Sequence, residues 1–347
     1  MHSTHKKDIN ACITRLRSGS LSFYTASLLL PKTVRQPAAA LYGFCRIADD
    51  AIDEARDPYV ALADLRQRLD AIYEAKPVDI PEDRAFAYVV QRYAIPREFP
   101  EALLEGFAWD ASGKNYETLA DLHDYAVRVA GTVGAMMAII MGVRSRNSIA
   151  RACELGMAMQ LTNIARDIGE DAERGRLYIP SVWLDAAGID AKDWLQSPDY
   201  SDALGRVIQR LLDHADKLYR QAETGISHLP VACRPAIQAA NIIYSEIGRE
   251  LERRGLNSIA TRSVVSLSRK SALLGKALVK TPLLKNKMEL PVHDATQFLL
   301  KTLPETINWT EISNVAYEDI YKSFDERVES VLDLFIRLEQ RDQGFST

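Results

Sequence analysis

The stretch Arg46-Ile47-Ala48-Asp49-Asp50-Ala51-Ile52-Asp53 decides how this chain is read. Asp49 and Asp53 stand four residues apart. On an α-helix that spacing puts both carboxylates on one face, about 5–6 Å apart at Cβ. The surroundings are helical. Residues 38–55 hold no proline and a single glycine, and Leu41, Phe44, Cys45, Ala48 and Ile52 recur at three- and four-residue steps. The two acids therefore lie beside the apolar stripe, where like charges weaken a helix unless a cation stands between them. One such pair says little, because acids at this spacing occur on many exposed helices.

A second copy changes that. Gln160-Leu161-Thr162-Asn163-Ile164-Ala165-Arg166-Asp167-Ile168-Gly169-Glu170-Asp171 repeats the spacing at Asp167 and Asp171. Gln160, Asn163, Asp167 and Asp171 follow at steps of three, four and four, which predicts one continuous helical face. Each acidic pair has an arginine close by, Arg46 and Arg166. Two faces of hard oxygen ligands suit Mg²⁺, which binds through a few carboxylates, waters and substrate phosphates. Arginines suit phosphate oxygens. Together they describe a site for a diphosphate bridged to the protein by Mg²⁺.

The 347 residues suffice for one large domain or two ordinary ones. The chain is 47% hydrophobic and 26% charged, with a net charge of −4, so it has no overall basic field for nucleic acid. Cys12, Cys45, Cys153 and Cys233 are scattered without a CxxC, which fits a reducing cytoplasm and no zinc or disulfide scaffold. Dinucleotide-binding, P-loop and nucleophile-elbow motifs are missing. The N-terminus has no apolar core of a signal peptide. The longest strongly apolar run, residues 131–143, is too short to span a bilayer.

Along the chain, helices are expected over 9–17, from Pro58, over 85–93 and 100–110, over 119–141, 149–168, 199–224, 235–254 and 261–280. Pro31 and Pro37 bracket an expected break. Ser20 and Ser22 stand where hydroxyls cap a helix and leave amide donors for an anion. The segment Ala130-Gly131-Thr132-Val133-Gly134-Ala135 should have a packing reason, since glycine weakens a helix. Two reasons compete: close helix contact, or a wall with Met136, Met137 and Met141 that leaves room for a long apolar ligand. Between Arg262 and Lys287 lie seven Lys/Arg and no acid, with leucines among them. This is either a solvated face or a helix that rests on an anionic membrane surface. Residues 285–304 read as a linker. A further helix is expected from Trp309, with Ile320, Phe324, Val328, Val331, Phe335 and Leu338 in step. No segment alternates like a strand. The reading is all-α: one helical domain over 1–285, then a linker and helical appendage over 286–347.

The paired motifs resemble those of the squalene/phytoene synthase family of head-to-head prenyltransferases, over about residues 18–269. Within it the chain is most similar to the bacterial phytoene-forming branch, through Leu-Leu-Pro31, Tyr42-Gly-Phe-Cys-Arg46 and Arg176-Leu-Tyr-Ile-Pro180. The resemblance implies an isoprenoid-synthase helical bundle around a central apolar cavity. It implies Mg²⁺ at Asp49, Asp53, Asp167 and Asp171 with Asn163 beside them, and Mn²⁺ as the natural substitute. It implies diphosphate contacts from Arg46, Arg166, Tyr244 and Arg262, plus the Ser20/Ser22 entry. Tyr42 and Tyr125 would face the reacting carbons, and Gln160 would lie along the cavity. Relatives often carry a basic residue between the two serines, where this chain has Leu21.

The implied reaction condenses two geranylgeranyl diphosphates through a cyclopropylcarbinyl diphosphate to phytoene, the first committed step of carotenoid biosynthesis, without NADPH. The implied setting is cytoplasmic, with peripheral contact to the inner membrane surface and enzymes of the carotenoid pathway as partners. Squalene, dehydrosqualene or presqualene-type synthesis from farnesyl diphosphate is the nearest alternative. Head-to-tail elongation ranks lower, because its usual motif is DDxxD and here DxxxD occurs twice. A non-catalytic assembly factor of the same fold would be marked by loss of an aspartate, and all four are present.

Overall fold

A computed structural model describes residues 2–284 and 290–303, with 327, 328, 331 and 334. Among the described residues every regular element is helical, as expected. The chain opens with α1 (His2–Gly19), α2 (Leu21–Leu28) and α3 (Lys32–Asp53), which carries the first acidic pair. Next come α4 (Pro58–Tyr73), α5 (Pro81–Tyr93) and α6 (Glu98–Ala111). A π-helical turn (Val127–Gly131) joins α7 (Leu119–Ala126) to α8 (Thr132–Ile140). The second acidic pair is on α9 (Arg146–Glu173). Short α10 (Ser181–Ala186) and α11 (Ala191–Gln196) lead to long α12 (Asp202–Ile226), α13 (Arg234–Arg253) and basic α14 (Leu267–Lys280). The short α15 (Gln297–Lys301) follows residues 290–296.

Local chemistry explains the helix starts. Asp57 caps α4 by accepting from the amides of Tyr59 (3.0 Å) and Val60 (3.3 Å), with Pro58 in the first turn. Thr118 and Asp121 form a capping box at α7. Ser266 accepts from the amide of Arg269, so α14 begins at Leu267 and not near residue 261 as expected. The break expected at Pro37 is not there either, and α3 runs straight through it. A proline inside a helix leaves the carbonyl four residues back unpaired. Here that carbonyl belongs to Thr33, and the Tyr93 hydroxyl donates to it at 3.3 Å.

The glycines of the 130–135 segment mark a close crossing. A Cβ on Gly134 would lie 2.2 Å from the carbonyl oxygen of Ala152, and one on Gly156 would lie 2.2 Å from that of Ala130. Two backbones touch there, and only hydrogen fits between them. Close helix contact is thus the reason for these glycines. Met136 and Met141 are buried core, whereas Met137 keeps partial exposure. The π-turn falls at the same crossing, and one extra residue per turn re-aims the helix that follows.

α9 is the central strut, packed against α7, α8, α12 and α13. On the other side α1, α3 and α5 pack together, and α8 touches both α3 and α9. α2 lies on α13, and α14 covers the outside of α13. Buried apolar residues from all these helices form one continuous core. Phe23, Tyr42, Val133, Met137 and Leu155 sit on inner helices yet are only partly buried.

Residues 290–303, read from sequence as a linker, pack on α7 and α9, and Leu299 is fully buried. Arg146 donates to the Leu303 carbonyl at 2.8 Å and Arg151 to that of Pro291 at 2.9 Å. Of the helix expected from Trp309, Val331 is buried, Val328 packs on the core, and Arg327 donates to the Leu29 carbonyl at 3.0 Å. Ile320, Phe324, Phe335 and Leu338 lie outside the described residues. Among the described residues no helix is long and apolar enough to cross a membrane.

Candidate active site

The last turn of α3 and the last turns of α9 carry the acids, and arginines meet them. Arg46 reaches forward along α3 to Asp49 (3.4 Å) and Asp50 (2.7 Å). Asp53 accepts from Arg174 (3.0 Å) and Arg176 (2.9 Å), both in the loop that follows α9. That loop ties the first acidic helix to the end of the second. Asp167 accepts from Arg166 at 2.7 Å and from Arg262 at 2.9 Å. Arg262 also lies 3.6 Å from Glu170.

The face expected over Gln160, Asn163, Asp167 and Asp171 is not continuous. Asp167 has φ −106° and ψ 15°, a kink that turns the last part of α9 relative to the rest. Such bridge-region backbone is where many active-site residues sit.

Charge crowding is visible at both pairs. Burial, and then Asp53, pushes the Asp49 carboxyl up to about 6. Burial, and then Asp167, pushes Asp171 up to about 7. Arg176 works against both shifts. Its field also lowers Asp110, and it pairs with Asp53. Arg174 likewise pairs with Asp53 and works against the Asp171 shift, so both acidic helix ends meet the arginines of the loop after α9.

Ser20 caps α2 by accepting from the Phe23 amide at 3.2 Å, and it lies near Tyr244. Phe23 stacks on Tyr244 at 4.8 Å and meets Tyr42 edge-on at 6.3 Å. Tyr244 also lies in the field of Arg166. Arg166 and Arg262 thus border Asp167, and Ser20, Phe23, Tyr42 and Tyr244 form a cluster next to Arg166. Ser22 and Gln160 are partly exposed on α2 and α9. Tyr125 is buried and donates to Asp110 at 2.9 Å.

Among the described residues, no three His, Cys, Asp or Glu side chains stand close enough to clasp a metal ion. The donor set still fits one. Four aspartates supply hard oxygens, and the side-chain oxygen of Asn163 is buried without a hydrogen-bond partner. Cavities of about 320 and 250 Å³ lie elsewhere, at the start of α9 and between α12, α13 and α14.

The squalene/phytoene synthase family profile matches residues 16–271. The chain belongs to the squalene/phytoene synthase family. It is 43% identical over 343 residues to a phytoene synthase from Rhodobacter capsulatus, with 98% of each chain covered. It is 47% identical over 286 residues to a phytoene synthase from Cereibacter sphaeroides, covering 80% of this chain and 81% of that one. A solved dehydrosqualene synthase superposes with a TM-score of 0.75 at 31% identity, covering 80% of this chain and 98% of that one. A squalene synthase from Alicyclobacillus acidocaldarius gives 0.67 at 26%, covering 73% and 96%. The fold is the isoprenoid-synthase helical bundle, and this family member is a prenyltransferase-type enzyme.

Three residues of this family site were not among the sequence candidates. Arg176 and Tyr178 stand out in the sequence only inside the Arg176–Pro180 motif, and Asp110 carries no signal, because it repeats no spacing. Only the tertiary contact between α6, α7 and the loop after α9 reveals them.

Proposed function

We propose that this chain condenses two molecules of geranylgeranyl diphosphate head to head, through prephytoene diphosphate, to phytoene. The observation that carries this is the likeness over nearly the whole chain to proteins named phytoene synthase. The meeting of both acidic helix ends at Arg174 and Arg176 supports it, since two diphosphates need one cationic and metal-binding centre.

Asp49, Asp53, Asp167 and Asp171, with Asn163, would hold Mg²⁺, or Mn²⁺ in its place. When bound, the ion supplies Lewis-acid stabilisation of the departing diphosphate. The arginines have a matching task. Arg46, Arg166 and Arg262 pair with aspartates of the site. They would move to phosphate oxygens, whose geometry they match. Ser20, Ser22 and Tyr244 would border the same diphosphate. Loss of diphosphate leaves an allylic cation, the double bond of the second chain attacks it, and loss of a proton closes the cyclopropane. A second ionisation, rearrangement and second proton loss follow. The apolar interior keeps water from quenching the cation. The faces of Tyr42 and Tyr125 would stabilise it, and Gln160 would lie along the bound chains. The reaction is redox-neutral and takes no NADPH.

The reading divides the chain into a catalytic unit over 1–285 and an appendage over 286–347. It also places the protein in the cytoplasm with reversible contact to the inner membrane surface. α14 supports that contact, because it presents Lys276 and the exposed Val279 beside exposed Leu283. The apolar product needs lipid, where later carotenoid-forming enzymes would receive it.

The test is incubation of purified protein with Mg²⁺ and geranylgeranyl diphosphate, without NADPH, beside a farnesyl diphosphate reaction. A forty-carbon phytoene from the first is expected. A thirty-carbon product from the second alone would move the enzyme to the squalene or dehydrosqualene branch. No product from either would refute the enzyme reading.

A further inference from the structure

Beside the acidic centre lies a carboxylate, Asp110, that the proposed chemistry does not use. Asp110 sits in the last turn of α6. The Tyr178 hydroxyl donates to its Oδ1 at 2.9 Å, and the Tyr125 hydroxyl donates to its Oδ2 at 2.9 Å. The two rings stack at 5.0 Å, and Tyr116 packs on both, at 5.2 Å from Tyr125 and 5.9 Å from Tyr178. Three elements distant in sequence meet at one carboxylate.

This is a costly place for an acid. The last turn of a helix carries the negative end of its dipole, which disfavours a carboxylate. Burial pushes Asp110 up to about 6, although both hydroxyls and Arg176 pull it down. A neutral amide could also link two hydroxyls. It would do so differently, because its NH₂ donates. Only a carboxylate accepts from both tyrosines and so fixes the direction of both O–H bonds. The Tyr116 hydroxyl, in the same cluster, is buried without a partner. A buried unpaired hydroxyl is uncommon and marks a place where another group is met.

We propose that Asp110 is a positioning residue for the condensation and acts through Tyr125. By accepting the hydroxyls of Tyr125 and Tyr178, it turns their oxygen lone pairs and ring faces, not their O–H hydrogens, toward the cationic prenyl chain. The role rests on the prenyl diphosphate reading above.

The test compares wild type, Asp110→Asn, Tyr178→Phe, Tyr125→Phe and the Asp110→Asn/Tyr125→Phe double variant. Each is assayed with Mg²⁺ for kcat and KM, and for helix content and melting temperature. Wild type is first run on geranylgeranyl and on farnesyl diphosphate, and the variants are read with whichever it condenses. A wrong chain length thus shows in the wild type, and a wrong role for Asp110 shows only in the variants. Asp110→Asn should lower kcat on the order of tenfold or more, with KM within about threefold and the fold intact. Tyr178→Phe keeps the carboxylate and should lose less. The double variant should be no slower than Tyr125→Phe alone. Wild-type kcat in Asp110→Asn and Tyr178→Phe would overturn the role. So would losses that multiply in the double variant, or a fall in kcat/KM that resides in KM. No turnover of either diphosphate by the wild type would overturn both the reading and the role.

Discussion

Asp49 and Asp167 are the residues on which the proposed chemistry turns. Each lies near the C-terminal end of its helix and pairs with an arginine, outside the apolar core. Asp49→Ala and Asp167→Ala should each cut turnover at least ~100-fold while far-UV circular dichroism stays unchanged. Near-wild-type turnover of both would refute their assignment. His123 makes a prediction about stability. Burial, with His293 and His214 adding, pulls it down to about 3 from its usual 6.5. Between those values the unfolded chain binds the proton and the folded chain does not. Stability from this site is complete above about pH 6.5 and is lost as pH falls, by roughly 1.4 kcal/mol per unit. Relative to wild type, His123→Gln should therefore gain that amount per unit between about pH 6 and pH 4.5. Urea unfolding at several pH values measures it, and parallel pH profiles would contradict it.

Among the helices, the crossing of α8 and α9 makes the sharpest demand. Gly→Ala in a helix ordinarily stabilises by up to about 1 kcal/mol. At Gly156 the added carbon would meet the carbonyl of Ala130 at 2.2 Å, backbone that cannot step aside. Gly156→Ala should therefore destabilise by about 1–3 kcal/mol or more. Gly275, on α14, has nothing within 4 Å of its would-be Cβ. Gly275→Ala should show the ordinary gain. Equal shifts in denaturant midpoint for the two variants would mean that the helices do not cross so closely. The need for a packing reason was legible in the sequence, but the choice between a crossing and a ligand wall was not. Helical periodicity tells which face is apolar, not how near the next backbone comes. Pro37 teaches the same lesson. Its residue type argues for a break, yet Tyr93, from another helix, satisfies the carbonyl it leaves open.

At the scale of the whole molecule, two expectations concern its edges. A chain ending at residue 285 should keep turnover at reduced melting temperature, because Leu299, Leu300 and Leu303 leave the core. Failure of that chain to fold would place the appendage inside the domain. The intact protein should co-sediment weakly with anionic vesicles and less so as salt rises, through α14. Indifference to vesicles of any composition would remove the membrane contact. The all-α class, the two acidic helices and the family were fixed by local pattern. Steps of three and four place residues on one helical face whatever the fold, so Asp49, Asp53, Asp167 and Asp171 stood out unaided. Tertiary structure alone decided what those acids meet. Arg174 lies 121 residues from Asp53. Arg174 and Arg176 join both acidic ends, Asp110 gathers two tyrosines, and α9 is kinked at Asp167. Such contacts depend on how helices cross, and crossing geometry is set by packing across the core, which no spacing along the chain records.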